Sequence, residues 1–470
     1  MWLATGAGLF VSLSLLAILS DGFGYDVDVI DMPITALVAI LMIAGAVFVC
    51  LPRLLRRSTE HGGINPVYLV TWIIVTGLAM RLVFLGTQPV LEDDYNRYLL
   101  DGAVTAHGYN PYSHSPLAIA EMTTDDAVLR QISQDAGVVM ERINYPQIRT
   151  VYPPVAQFAF ALAHWIKPWS LDAWRMVILG CDAAVLGLIV LLLREVGRPV
   201  AWMALYWWNP VVVKELYNST HMDVLVVLPM LAALWFAIRQ RPMSTAVAVA
   251  VGIGAKIWPV LLLPTVFRAW LRFPRIMIPA MVATAALSAA LLSPVVISGL
   301  NDSSGFVAYG SRWQANDALF QIVLWGCRLV AELAGLAPEA GKLMARALVF
   351  AVLCCFVLAL NRHPPASPSE TCRRVFLTVA ALLLLSPTQF PWYYTWLAVF
   401  LPLFPLRGFL VLAVTMPLYY AYFHLVARGQ EHLFDYAVVF LIWLPVWALL
   451  LTDLVRHRNE RRSDECGNVQ

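Results

Sequence analysis

A chain of 470 residues that is 60% apolar and only 13% charged departs from an ordinary soluble domain, in which about 45–50% of residues are apolar and about 25% charged. Its 32 basic and 30 acidic side chains are too few to cover a water-exposed surface of that size, which excludes a soluble fold and predicts an all-α polytopic membrane protein. The net charge of +2 supplies no basic footprint for a nucleic-acid partner, and the seven cysteines are scattered without metal-site spacing.

In chain order, apolar runs lie near 1–20, 33–51, 66–86, 152–168, 172–193, 199–213, 222–238, 243–266, 275–298, 317–336, 342–360, 374–387, 391–406, 408–426 and 434–453. A spanning helix needs about 17–25 residues, so the shorter runs are half-spans or surface helices, and about 12–14 spans are expected. The first run lacks a basic leader and is followed at once by another, so it reads as a retained helix rather than a cleaved signal. The organisation expected is two leading helices over 1–65, a core over 66–266 that includes a polar loop at 87–151, further helices over 267–453 and a polar tail at 454–470.

Charge sets the expected orientation. Residues 21–32 carry Asp21, Asp26, Asp28 and Asp31 and no base, whereas the next loop carries Arg53, Arg56 and Arg57. Basic loops stay cytoplasmic, so the N-terminus and the Arg456–Arg462 cluster are read as inside and the 87–151 loop as extracytoplasmic. One conflict arises: full spans at both 152–168 and 172–193 would place Arg194 and Arg198 outside, so either the first is a half-helix or those arginines are a local exception, and the charge rule does not decide. The run at 243–266 is likewise interrupted, by Lys256 and Pro259.

The polar loop opens on Glu92-Asp93-Asp94-Tyr95-Asn96-Arg97-Tyr98 and continues through Asp101-Gly102. In a helix, Asp94, Arg97, Tyr98 and Asp101 share a face, so Asp94–Arg97 and Arg97–Asp101 are candidate ion pairs. A solvated surface helix would show the same spacing. Three adjacent acids repel one another, which raises a carboxyl pKa or recruits a cation. A carboxylate here is therefore a candidate general base, or Glu92, Asp93 and Asp94 are candidate metal ligands. Gly102, Gly108, Pro111 and Pro116 then break the helix, and the loop leaves through Asn144-Tyr145-Pro146-Gln147 and Tyr152-Pro153-Pro154.

These motifs, with Gly108-Tyr109-Asn110-Pro111-Tyr112 between them, resemble the first luminal loop of GT-C glycosyltransferases. More narrowly they are similar to bacterial polyprenol-phosphate-mannose-dependent mannosyltransferases, over about residues 66–265. The resemblance implies a GT-C fold, a polyprenyl-phosphate sugar donor, a glycan or glycolipid acceptor, inversion, and a place in the bacterial inner membrane with the site facing the periplasm or exterior. It assigns catalysis to Asp94, with Asp93 second. No cofactor is expected, and a divalent cation is not favoured.

Further candidates lie downstream. Glu215, His221 and Asp223 either sit at a helix mouth or converge on the same side as Asp94, and the resemblance favours convergence. Lys256 is costly inside an apolar run unless it snorkels or meets an anion, for which the donor phosphate is the candidate. Arg312 and Arg97 are secondary phosphate candidates. Asn110, Tyr112, Tyr152, His221, Asp223, Gln389 and Trp392 are expected around the acceptor or sugar, although Trp392-Tyr393-Tyr394 also reads as an interfacial aromatic belt. A rival reading is a transporter or flippase of lipid-linked or anionic solutes, which shares broken helices and intramembrane charge. The long acidic loop, and the lack of two related halves, speak against it.

Overall fold

A computed structural model describes residues 1–61, 65–121 and 126–467, with the side chains of 59–61, 312 and 457–467 left aside. Asp125 lies outside the described residues, as do the side chains of Arg312, Arg458, Arg461 and Arg462. The protein is all-α, and the one extended pairing among the described residues is an isolated bridge between Ala315 and Thr388. Among the described residues, seven segments are long and apolar enough to cross a membrane: Trp2–Phe23, Ile34–Ser58, Leu171–Glu195, Pro274–Ile297, Pro338–Leu360, Arg407–Val426 and Glu431–Arg456. Four shorter apolar helices accompany them, Pro66–Leu82, Pro154–Ile166, Val224–Ile238 and Pro242–Ala255. Pro154–Ile166 has 13 residues, a rise of about 20 Å against a hydrocarbon core of about 30 Å. Its length is that of a half-span, one of the two ways out of the charge conflict. Other expected runs fragment: 199–213 divides into short 3₁₀ and α pieces, and 391–406 into a 3₁₀ turn and a five-residue helix. Hydropathy sees the continuous apolar run but not the breaks in its backbone.

The chain forms two compact units. One comprises Met1–Gln88, Arg198–Lys214 and Leu397–Gln470, so the expected 66–266 segment contributes to both units. Within it the Ile34–Val49 helix packs on Trp2–Leu19 and on Arg407–Thr415. Small residues bring these backbones together: a Cβ on Gly45 would overlap the Ala413 carbonyl. Arg81 is wholly buried there, its guanidinium 3.4 Å from the Trp207 ring centroid and donating to the Gly77 and Trp207 carbonyls.

The second unit, Pro89–Gly197 with Glu215–Trp396, contains the polar loop. That loop is folded around a small core of its own, made of Leu100, Ala103, Val104, Ile119, Leu129, Ile132 and Ile143. Its principal helix, Asp94–Ala106, lies along Pro154–Ile166. Tyr98 stacks on Phe160 at 4.6 Å between ring centroids and meets Tyr152 and Trp174 edge-on. Two arginines close the loop. Arg97 donates to the Tyr145 and Ile148 carbonyls, and Arg149 to the Tyr112, Ser298 and Gly299 carbonyls and the Asn301 side chain. The carboxyl of buried Asp101 accepts from Gln157, which also donates to Thr150 and the Tyr152 carbonyl. Burial raises the Asp101 pKa, against the pull of Arg97.

Gly102 is the close-contact point of the two helices, since a Cβ there would stand 2.6 Å from the Phe160 carbonyl oxygen. Gly102→Ala should therefore push the loop helix off its partner. The expected destabilisation is about 1–3 kcal/mol, read as a lower unfolding temperature in detergent together with reduced activity.

Candidate active site

The site is built where three separate segments of the second unit meet. The first approaches through Leu91, held in the left-handed region at φ +56°, and presents Glu92, Asp93 and Asp94 at the start of the Asp94–Ala106 helix. Asp93 is the N-cap but makes no capping bond to its own helix. It accepts instead from Asn144 Nδ2 at 2.7 Å, and the same amide lies 3.4 Å from Asp94 Oδ1. A helix N-terminus favours negative charge, so both carboxylates sit at the favourable end of the dipole.

The second segment runs from Glu215 to Asp223. It turns through Thr220, again left-handed at φ +62°, and His221 N–H donates to the Glu215 carbonyl at 3.0 Å. Asn218 Oδ1 accepts from Val90 N–H at 3.1 Å, tying this segment to the first. The His221 ring is fully buried. Its Nε2 lies 3.3 Å from Glu92 Oε2 and 3.9 Å from Glu215 Oε2, and its Nδ1 lies 3.9 Å from Asp94 Oδ2.

The third segment is aromatic. Trp392 stacks on the His221 ring at 3.7 Å and 21°, and Phe390 stacks on Trp392 at 4.3 Å. Trp396 Nε1 donates to Asp223 Oδ1 at 2.6 Å. The same oxygen accepts from Lys256 Nζ at 2.7 Å, at the point where the Pro242–Ala255 helix gives way to extended backbone. The Lys256 ammonium also lies 4.5 and 4.8 Å from the ring centroids of Tyr393 and Trp396, within cation–π range.

Burial separates the roles these groups can take. Glu215 and Asp223 are as closed off as His221, whereas Asp94 keeps 25% of its side chain accessible and Lys256 18%. Asp94 and Lys256 are thus the partly accessible acid and base of the cluster, beside the exposed Asp93. Asp93 reaches solvent at the surface, yet the protein packed about it raises its pKa to about 7, helped by Asp94 and Glu92 and opposed by Asn144. For His221, burial pulls the pKa down, but Glu92, Glu215 and Asp94 together leave it above the ordinary value.

The structure thus brings together Glu92, Asp93, Asp94, Glu215, His221, Asp223, Lys256 and Trp392 of the residues named from sequence. The others have framing contacts. Arg97 faces loop carbonyls rather than an open cleft. Asn110 donates to Ser298 and caps the Tyr112 N–H, and the Tyr112 hydroxyl donates to the Tyr152 carbonyl. Gln389 donates to the carbonyls of Leu384 and Ser386 at the end of the Pro368–Leu385 helix. Arg312 closes the Gly305–Arg312 helix. Asn144 and Trp396 were not singled out from sequence as site residues, whereas Tyr393 was named within the 389–394 stretch. The i, i+4 spacing of Trp392 and Trp396 was a usable signal for a shared face.

A family model described as "Alpha-(1->6)-mannopyranosyltransferase, N-terminal domain" matches residues 25–272, more than half of the chain. The chain belongs to this mannopyranosyltransferase family. No curated protein and no solved structure matches it. The matched region of the mannopyranosyltransferase holds Glu92, Asp93, Asp94, Asn144, Glu215, His221, Asp223 and Lys256, while the aromatic segment at 390–396 lies beyond it. The protein is accordingly a glycosyltransferase of GT-C type with a polytopic helical architecture.

Trp396→Phe keeps an aromatic ring but removes the indole N–H, leaving Lys256 as the remaining donor to Oδ1 of the buried Asp223 carboxylate. The transferase should lose about 1–3 kcal/mol of stability, seen as a lower unfolding temperature in detergent, with less loss in the double variant Trp396→Phe, Asp223→Asn.

Proposed function

We propose that the transferase moves a mannosyl residue from a polyprenyl-phosphate donor to a hydroxyl of a glycan or glycolipid acceptor at the extracytoplasmic face of the bacterial inner membrane, with inversion. The observation that carries this is the position of Asp94: a partly accessible carboxylate at a helix N-terminus, backed by His221 and Asn144. The bias of Arg53, Arg56 and Arg57 against the acidic 21–32 loop supports the orientation.

In this reading Asp94 accepts the proton of the acceptor hydroxyl as its oxygen attacks the anomeric carbon. The bond from that carbon to the phosphate oxygen breaks, and the polyprenyl phosphate leaves with the electron pair. A phosphate needs no protonation to depart, so one carboxylate base suffices, unlike the acid pairs of glycoside hydrolysis. Lys256 gives one N–H to Asp223 and offers its remaining protons to the departing phosphate. Arg312 is a second candidate for the same anion. The α-(1→6) linkage in the family description, combined with inversion, calls for a β-linked donor and a primary 6-hydroxyl on the acceptor. Trp392 and the accessible edge of the cluster are the surfaces on which the sugar would rest.

The test uses purified full-length protein with polyprenyl-phosphate mannose and a mannoside acceptor. Wild type should release polyprenyl phosphate and form one new glycosidic bond per phosphate released. Asp94→Asn should slow transfer by at least about 10²-fold while still binding donor. Full activity in Asp94→Asn would remove this residue from the mechanism. Lys256→Gln should weaken donor binding by about tenfold or more, and unchanged donor affinity would remove the phosphate role.

A further inference from the structure

We propose that Glu92, Glu215 and His221 form a site for a divalent first-row cation, zinc foremost, that staples the acid-bearing loop to the Glu215–Asp223 segment. One ligand atom from each residue falls within a set whose members are all within 4.8 Å of one another. Zinc–nitrogen and zinc–oxygen bonds of about 2.0–2.2 Å place tetrahedral ligand atoms about 3.3–3.5 Å apart. The Glu92–His221 separation of 3.3 Å already matches, and the Glu215–His221 separation of 3.9 Å exceeds it by about half an ångström.

A second observation points to the same ligand. The His221 ring is entirely buried and neither nitrogen makes a well-formed hydrogen bond; Nε2 has only the 3.3 Å approach of Glu92 Oε2, and Nδ1 nothing nearer among the carboxylates than Asp94 at 3.9 Å. Leaving a buried imidazole without such a bond is costly, whereas a cation on Nε2 would satisfy it. The ring has little freedom to turn away, because Trp392 stacks on its face and its backbone N–H is held by Glu215. One imidazole and two carboxylates form a donor set that suits zinc, with a fourth position left for water.

The other ring nitrogen explains why such a site would matter. With Nε2 on the metal, Nδ1 must carry the proton, and it faces Asp94 Oδ2 at 3.9 Å. The cation then fixes the tautomer and ring that back the proposed base, as a positioning element that touches no substrate. This ligand set differs from the run of three acids suggested by the sequence, because Asp93 turns to Asn144 and Asp94 lies beside the opposite ring nitrogen.

The inference concerns the same site as the proposed transfer but rests on coordination geometry, so it is tested without donor. Full-length protein in detergent is stripped with a chelator, dialysed and titrated with zinc chloride alone, and bound metal is counted by mass spectrometry after desalting. Wild type should take up about one zinc per chain and gain several degrees in unfolding temperature. His221→Gln and Glu215→Gln should each weaken uptake by at least about tenfold, while Asp94→Asn should retain it. Failure of wild type to bind zinc at micromolar concentration, or to be stabilised by it, overturns the proposal whatever the variants do. Undiminished uptake in both ligand variants overturns it as well. Retained zinc binding in a protein that transfers no sugar would instead count against the transferase mechanism alone.

Discussion

The structure of the second unit depends on placing one buried imidazole among three carboxylates. His221 has no exposure, and Glu92, Glu215 and Asp94 approach it from two sides of its ring. Charges taken out of water cost several kcal/mol each unless partners compensate, so this cluster is stable only if the segments carrying it are held in register. The holding is done by contacts with little charge of their own. Gly102 lets the loop helix meet the Phe160 backbone, Tyr98 stacks on Phe160, and Trp392 covers the imidazole. Arg97 and Arg149 satisfy loop carbonyls that would otherwise leave the 142–151 and 298–301 segments loose.

Three of the six left-handed non-glycine residues among the described residues flank this cluster. Leu91 and Thr220, both without the conformational freedom of glycine, adopt left-handed conformations one residue before Glu92 and His221. Tyr145 does so one residue after Asn144. Such conformations cost about 1–3 kcal/mol each and persist where the surrounding structure over-determines them. Each of the three adjoins a residue whose side chain takes part in the cluster, Glu92, His221 or Asn144.

Much of this was legible in the sequence, for physical reasons that differ by residue. The acids at 92–94 stood out because charge is scarce in an apolar chain, and Lys256 because a lysine within an apolar run needs an anion. That anion is Asp223, 33 residues upstream. Helical spacing correctly predicted a helix from Asp94, but not how Arg97 would be used. The spacing that pairs it with Asp94 and Asp101 says nothing of the loop exit, whose carbonyls at Tyr145 and Ile148 it binds. Periodicity assigns faces; it does not say which faces meet. The meeting of residues 92–94 with 215–221, and of both with Trp392, therefore required the fold. The aromatic run at 392–394 had read better as a membrane belt than as a sugar surface, and its stacking on His221 and its contacts with Lys256 are what tie it to the cluster.

The central claim is that sugar transfer occurs at the accessible edge of this cluster, between Asp94 and Lys256. Its most direct test is a structure of the full-length protein with a polyprenyl-phosphonate mannose analogue that cannot react. The anomeric carbon should lie about 4–6 Å from the Asp94 carboxylate, leaving room for one acceptor hydroxyl, with the phosphonate on Lys256. A donor seated with its anomeric carbon beyond reach of Asp94, and its phosphonate on other cations, would contradict the account.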